Sequence, residues 1–361
     1  MLDTKKHNKM SFPIFYFNST GKGVGVIGRV FSSSTNLRHL NISRNPDIGD
    51  DGLLEFVEKV QECHDNDEGQ VFPSLEYLDL SQCNIGPKGV KSFSNLFLNI
   101  GENTIPRNTF LTLKLNENPI ANEGMRSLSH LISSNVFSSS KDRSSMLVSL
   151  SLQQCNIDDE GIEILTSAVK EHGCAGLCEL DMAKNKIGER GSEMLGKCFQ
   201  AGSWKTLNNL NLASNPLGTN GSLAICEGVR SLKKIEHLNL CETNCGAEGA
   251  IAAISLQNVV SLRLFNNKLG SIGFEKIAAN IEGGHVSIVN LDLGGNSAKE
   301  EAVVTLLKAI SIKNGTCKNS SLKVLEIGGN EMGPDAEKAL RNLQEIYPDL
   351  DVARDRPKRQ N

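Results

Sequence analysis

The chain has 361 residues, is 39% hydrophobic and 5% aromatic, and carries a formal net charge of −4. That balance supplies no long-range pull toward nucleic acid or an anionic membrane, and no apolar run reaches the roughly 18 residues of a membrane span. Ten cysteines without framework spacing point to reduced thiols in the cytoplasm, with the nucleus as the alternative, rather than to a secreted disulfide scaffold.

Residues 1–36 hold Phe15, Asn18 and Thr20, then Val24, Ile27 and Phe31 at helical spacing. They read as a degenerate repeat or an N-terminal cap, because a stack of repeats needs its open end covered. Gly23, Gly25 and Gly28 spell G-x-G-x-x-G, but no strand–helix–strand unit with a downstream acid accompanies them. The expectation is a glycine-rich turn into a capping helix. The apolar run from Phe12 to Phe17 is too short for a signal peptide.

From Leu37 to Ile346 one pattern recurs, L-x-x-L-x-L-x-x-N, clearest in LCELDMAKNKIGERG (Leu177 to Gly191) and LNNLNLASNPLGTNG (Leu207 to Gly221). Its ninth position is occupied ten times, by Asn45, Cys83, Asn118, Cys155, Asn185, Asn215, Thr243, Asn267, Asn296 and Asn330. The spacing runs from 24 residues (243 to 267) to 38 (45 to 83), enough for a short strand and a returning helix. Leu177, Leu180 and Met182 should point inward, while Glu179, Asp181 and Ala183 alternate outward with the period of a strand. The ninth residue should turn the chain and bond backbone groups that would otherwise be buried without partners. Gly191, Met194, Leu195 and Phe199 then mark one face of a helix.

Polar insertions are expected at 62–70, after a helix marked by Leu54, Val57 and Val60, at 101–109, and in the serine-rich segment 133–145. Residues 347–361 read as a charged tail with four basic side chains between Arg354 and Arg359. The expected organisation is therefore a cap at 1–36, about ten repeats at 37–346 and a tail at 347–361.

Side chains on the outer face of the strands form two columns. The central one contains Asn41, Asp79, Lys114, Ser151, Asp181, Asn211, Asn239, Arg263, Asp292 and Glu326, polar throughout and mixed in sign. Beside it stand His39, Tyr77, Thr112, Ser149, Glu179, Asn209, His237, Ser261, Asn290 and Val324. A mixed polar surface suits recognition of another protein. Tyr77 and Phe265, the largest apolar groups on that face, are candidate anchors. The expected partner-binding set is Tyr77, Asp79, Lys114, Glu179, Asp181, Asn211, His237, Asn239, Arg263, Phe265 and Asp292. No nucleophile elbow, H-E-x-x-H or phosphate-binding loop is present. The pairs Cys174/Cys178 and Cys241/Cys245 each lack a second pair at zinc spacing. No catalytic residue, metal or cofactor is expected, and neither nucleic acid nor membrane is an expected partner.

The unit resembles the ribonuclease-inhibitor-like class of leucine-rich repeats. That resemblance implies an α/β solenoid, a horseshoe with a parallel sheet on the concave face and helices on the convex face, that binds a folded protein without catalysis. The class includes activators of the small GTPase Ran, and two stretches are similar to theirs: LSQCNIGPKG at Leu80 to Gly89, and Ala183 to Gly191. The second stretch carries Lys184 and Lys186 where those relatives have arginine, and Cys83 stands at their asparagine. As an alternative function, the resemblance implies contact with a Ran-like GTPase through Arg44, Gln82, Cys83, Lys184, Asn185 and Lys186.

Overall fold

The structure, a computed structural model, describes residues 10–11, 22–33, 37–66, 75–99, 111–133, 147–174, 176–283, 287–311 and 322–354. The loop expected at 62–70 begins later than expected, since residues 62–66 continue the helix Gly49–Asn66; residues 67–70, 101–109 and 134–145, and the basic residues after Arg354, lie outside the described residues. The chain divides into two compact units, Met1–Leu180 and Asp181–Asn361.

In the first unit, strands and helices alternate: β1 (Met10–Ser11), α1 (Lys22–Ser33), β2 (Leu37–Asn41), α2 (Gly49–Asn66), β3 (Tyr77–Asp79), α3 (Pro87–Asn99), β4 (Leu111–Lys114), α4 (Ala121–Ser133), β5 (Leu147–Ser151) and α5 (Asp159–His172). The strand β6 (Glu179–Asp181) contains the division between units. The second unit continues with α6 (Glu189–Gln200), β7 (Asn209–Asn211), α7 (Gly218–Val229), β8 (His237–Asn239), α8 (Gly246–Ile254), β9 (Ser261–Arg263), α9 (Gly270–Glu282), β10 (Asn290–Asp292), α10 (Glu300–Ser311), β11 (Val324–Glu326), α11 (Pro334–Ile346) and β12 (Asp351–Ala353). Within each unit the strands pair in parallel and in sequence order. Each helix packs on its neighbours in the same order. This is the α/β leucine-rich-repeat solenoid fold.

Its core is the inward side of the repeat. Leu40, Leu78, Leu113 and Leu150 are buried in the first unit, and Leu210, Leu238, Leu262, Leu291 and Leu325 in the second. Each such side chain stabilises by about 1.5–3 kcal/mol. Helices add their apolar stripe: Leu53, Phe56, Val57 and Val60 are buried on α2, whereas Leu54, expected on that face, is exposed. On α6 the buried face is Gly191, Ser192, Leu195, Gly196, Cys198 and Phe199, with Met194 half-buried.

The ladder at the ninth position explains the asparagines. Asn118 Nδ2 donates to Leu80 O at 2.8 Å and Leu115 O at 3.0 Å, while its Oδ1 accepts from the amides of Cys83 and Ile85 at 3.0 and 2.9 Å. Asn267 does the same between Leu240 O and the amides of Thr243 and Cys245. Cysteine keeps the donor half of this arrangement: Cys83 Sγ lies 3.2 Å from Ile42 O, and Cys155 Sγ 3.2 Å from Leu115 O.

Two expectations change at the chain ends. Gly23, Gly25 and Gly28 lie inside α1 rather than in a turn before it. A Cβ at Gly28 would sit 2.7 Å from Phe56 O, so the glycine lets α1 approach the backbone of α2. In the segment read as a charged tail, Asp351–Ala353 form β12 and pair with β11, and Leu350 is buried. No helix among the described residues is long and apolar enough to cross a membrane. No disulfide links the described cysteines.

Candidate binding surface

Parallel register sets the outer side chains of the strands in rows. In the first unit His39, Tyr77, Thr112 and Ser149 align, and beside them Asn41, Asp79, Lys114 and Ser151. In the second, Asn209, His237, Ser261, Asn290 and Val324 align, with Asn211, Asn239, Arg263, Asp292 and Glu326 beside them.

The central row turns out to do two jobs. Asn41, Asp79, Asp181, Asn211, Asn239 and Asp292 each accept the backbone N–H two residues on, at 2.9–3.1 Å. These are Asx turns that satisfy amides where the strand ends. Where the row has Ser151, Asn116 Oδ1 takes over, accepting from Gln153 N at 2.8 Å and Ser151 Oγ at 2.7 Å. The recurrence of Asp or Asn at this position was the available signal, since their short side chains place an oxygen where it accepts from the amide two residues on. Two of the expected contact residues have little exposed surface. Asp292 is 3% exposed and Asp79 9%, because their carboxylates are folded back onto their own turns.

Around Tyr77 the face is organised. Arg38 donates to Glu76 at 2.8 Å, and His39 Nε2 lies 3.6 Å from the same carboxylate. Tyr77 meets the His39 ring edge-on at 6.1 Å, donates its hydroxyl to Asp79 Oδ2 at 3.0 Å, and carries the Lys114 ammonium 5.3 Å from its ring centroid. Burial, then the adjacent Asp79 charge and hydrogen bond, push the Tyr77 phenol up to about 12, so it remains a donor. Glu179 is exposed and accepts from Ser149 Oγ at 2.8 Å. The Arg38–Glu76 contact had no signal in the repeat pattern.

In the second unit His237 is exposed, and Arg263 lies 3.7 Å from Asp292 Oδ2 with nearly half its side chain in solvent. Phe265 is half-buried rather than open: it packs against Ala183, Ala213 and Cys241, small residues that are themselves buried on the sheet face.

The row just before the ladder has a feature its residue types do not announce. Arg44, Gln82, Glu117 and Gln154 in the first unit, and Lys184, Ser214, Glu242 and Asn266 in the second, all have φ between 53° and 62°. The left-handed backbone directs their side chains off the strand end. Gln82 is bonded to Glu117 at 3.0 Å, and Ser214 to Glu242 at 2.6 Å. Of the residues implied as GTPase contacts, Arg44, Lys184 and Lys186 are exposed and Gln82 is half-buried. Cys83 and Asn185 are not accessible: Cys83 is 0% exposed, and Asn185 Nδ2 donates to Met182 O at 2.9 Å within the ladder.

Beside the turns of the first unit lies an open hollow of about 1000 Å³ lined by Pro46, Asp47, Asp51, Glu55 and Pro87. Asp50 borders it, but its Oδ1 accepts from the amides of Gly86 and Gly89 at 2.7 and 2.8 Å. Among the described residues no group of three or more His, Cys, Asp or Glu is placed to hold a metal ion.

A comparison with curated proteins found no match. The family model described as Leucine Rich repeat matches residues 33–57, 73–94, 107–129, 143–165 and 318–340. Four of those segments lie in the first unit and one in the second, and the same strand, turn and ladder recur between them. The chain thus carries leucine-rich repeats on an α/β solenoid fold.

Proposed function

We propose that the sheet face of these repeats is a non-catalytic docking surface for a folded protein partner. The observation that carries this reading is the alignment of polar side chains in rows across parallel strands. Six of the central-row side chains serve the turns, which leaves recognition to His39, Tyr77, Thr112, Ser149 and Lys114 on the first unit's face, and to His237 and Arg263 on the second's. Rigid backbone beneath such rows lowers the ordering cost of binding.

The test is a binding measurement on a captured partner, with His39→Ala, His237→Ala and Arg263→Ala compared with wild type. The combined variant should weaken affinity about tenfold or more, roughly 1.4 kcal/mol, while the thermal midpoint stays within about 2 °C. Unchanged affinity in the combined variant would remove the sheet face as the surface. Alanine at Asp181, Asn211 or Asn239 is a poor probe, because it breaks an Asx turn as well as a contact. The alternative, stimulation of a Ran-like GTPase through Arg44, Gln82, Lys184 and Lys186, would show as accelerated single-turnover GTP hydrolysis; the burial of Cys83 and Asn185 weighs against it.

A further inference from the structure

We draw no further inference here: the strongest candidate, the open hollow beside the turns of the first unit, walled by Asp47, Asp50, Asp51 and Glu55, is a group of carboxylates gathered around the start of α2, where Asp50 already caps α3, and nothing in the structure shows what would cover it.

Discussion

A single asparagine in the ladder satisfies four backbone groups, and this sets the cost of losing it. Asn118→Ala would strand the amides of Cys83 and Ile85 and the carbonyls of Leu80 and Leu115 in the core. At about 1–3 kcal/mol for each unsatisfied group, with partial relaxation, the expected loss is about 3–5 kcal/mol in urea unfolding. Cys155→Ser, which keeps a donor toward Leu115 O, should cost less than about 1.5 kcal/mol. Thr243 already shows that a hydroxyl fills the position, donating to Leu240 O at 2.8 Å. Equal losses in the two variants would contradict this account.

Buried thiols add a pH dependence. Burial pushes Cys226 and Cys245 up to about 12 from 9.0. Below pH 9 the thiols are neutral in both folded and unfolded chains, so stability there is unaffected. As pH rises from 9 toward 12 the unfolded chain ionises first, and stability falls by up to about 1.4 kcal/mol per pH unit for each thiol. Urea unfolding followed through Trp204, which is buried in the same unit against Phe199, should show this decline between pH 9 and 10.5. Cys226→Ala should lower the slope by its own share, up to about 1.4 kcal/mol per pH unit, and leave that of Cys245; an unchanged slope would mean that other groups cause the decline.

At the scale of elements, helices borrow their caps from the preceding repeat. Asp50 at the start of α2 accepts from Gly86 and Gly89 at the start of α3. Glu300 of α10 accepts from Asp335 and Ala336 of α11 at 2.7 and 3.0 Å. Asn122 of α4 donates to Asp158, whose carboxylate in turn accepts from Glu160 N as the N-cap of α5. A carboxylate at a helix N-terminus satisfies orphan amides and opposes the helix dipole favourably. Asp50→Ala should therefore cost about 1–2 kcal/mol, with faster hydrogen exchange at Gly86 and Gly89 than elsewhere in α3. Uniform acceleration across the helix would indicate a global effect instead. These cross-repeat caps were not visible in the letters, because the capping residue lies 35–39 positions from the amide it serves. The Asx turns were more accessible, since donor and acceptor are two residues apart.

For the molecule as a whole, strand order equals sequence order within each unit, so each repeat is stabilised by its immediate neighbours. Removing residues 244–267, a full repeat between the ladder positions Thr243 and Asn267, 24 residues apart, joins equivalent points. That deletion should leave a cooperatively folded protein by circular dichroism, whereas removing only 244–255 should abolish native folding of the second unit. Failure of the full-repeat deletion to fold, with the half-repeat deletion behaving the same way, would show that nearest-neighbour stacking does not govern this fold.

The sequence by itself determined the repeat register, the inward leucines and the ladder, because each follows from periodic chemistry within a few residues. Tertiary structure decided which polar residues remain available. Asp79 and Asp292 look like surface groups in the alternating pattern, yet they turn back onto amides two residues away. Arg44, Gln82 and Lys184 have no intrinsic preference for the left-handed backbone; the turn into the ladder imposes it. Gly28 and β12 make the same point at the ends, where close helix approach and an added strand depend on surfaces that exist only after neighbouring repeats have stacked.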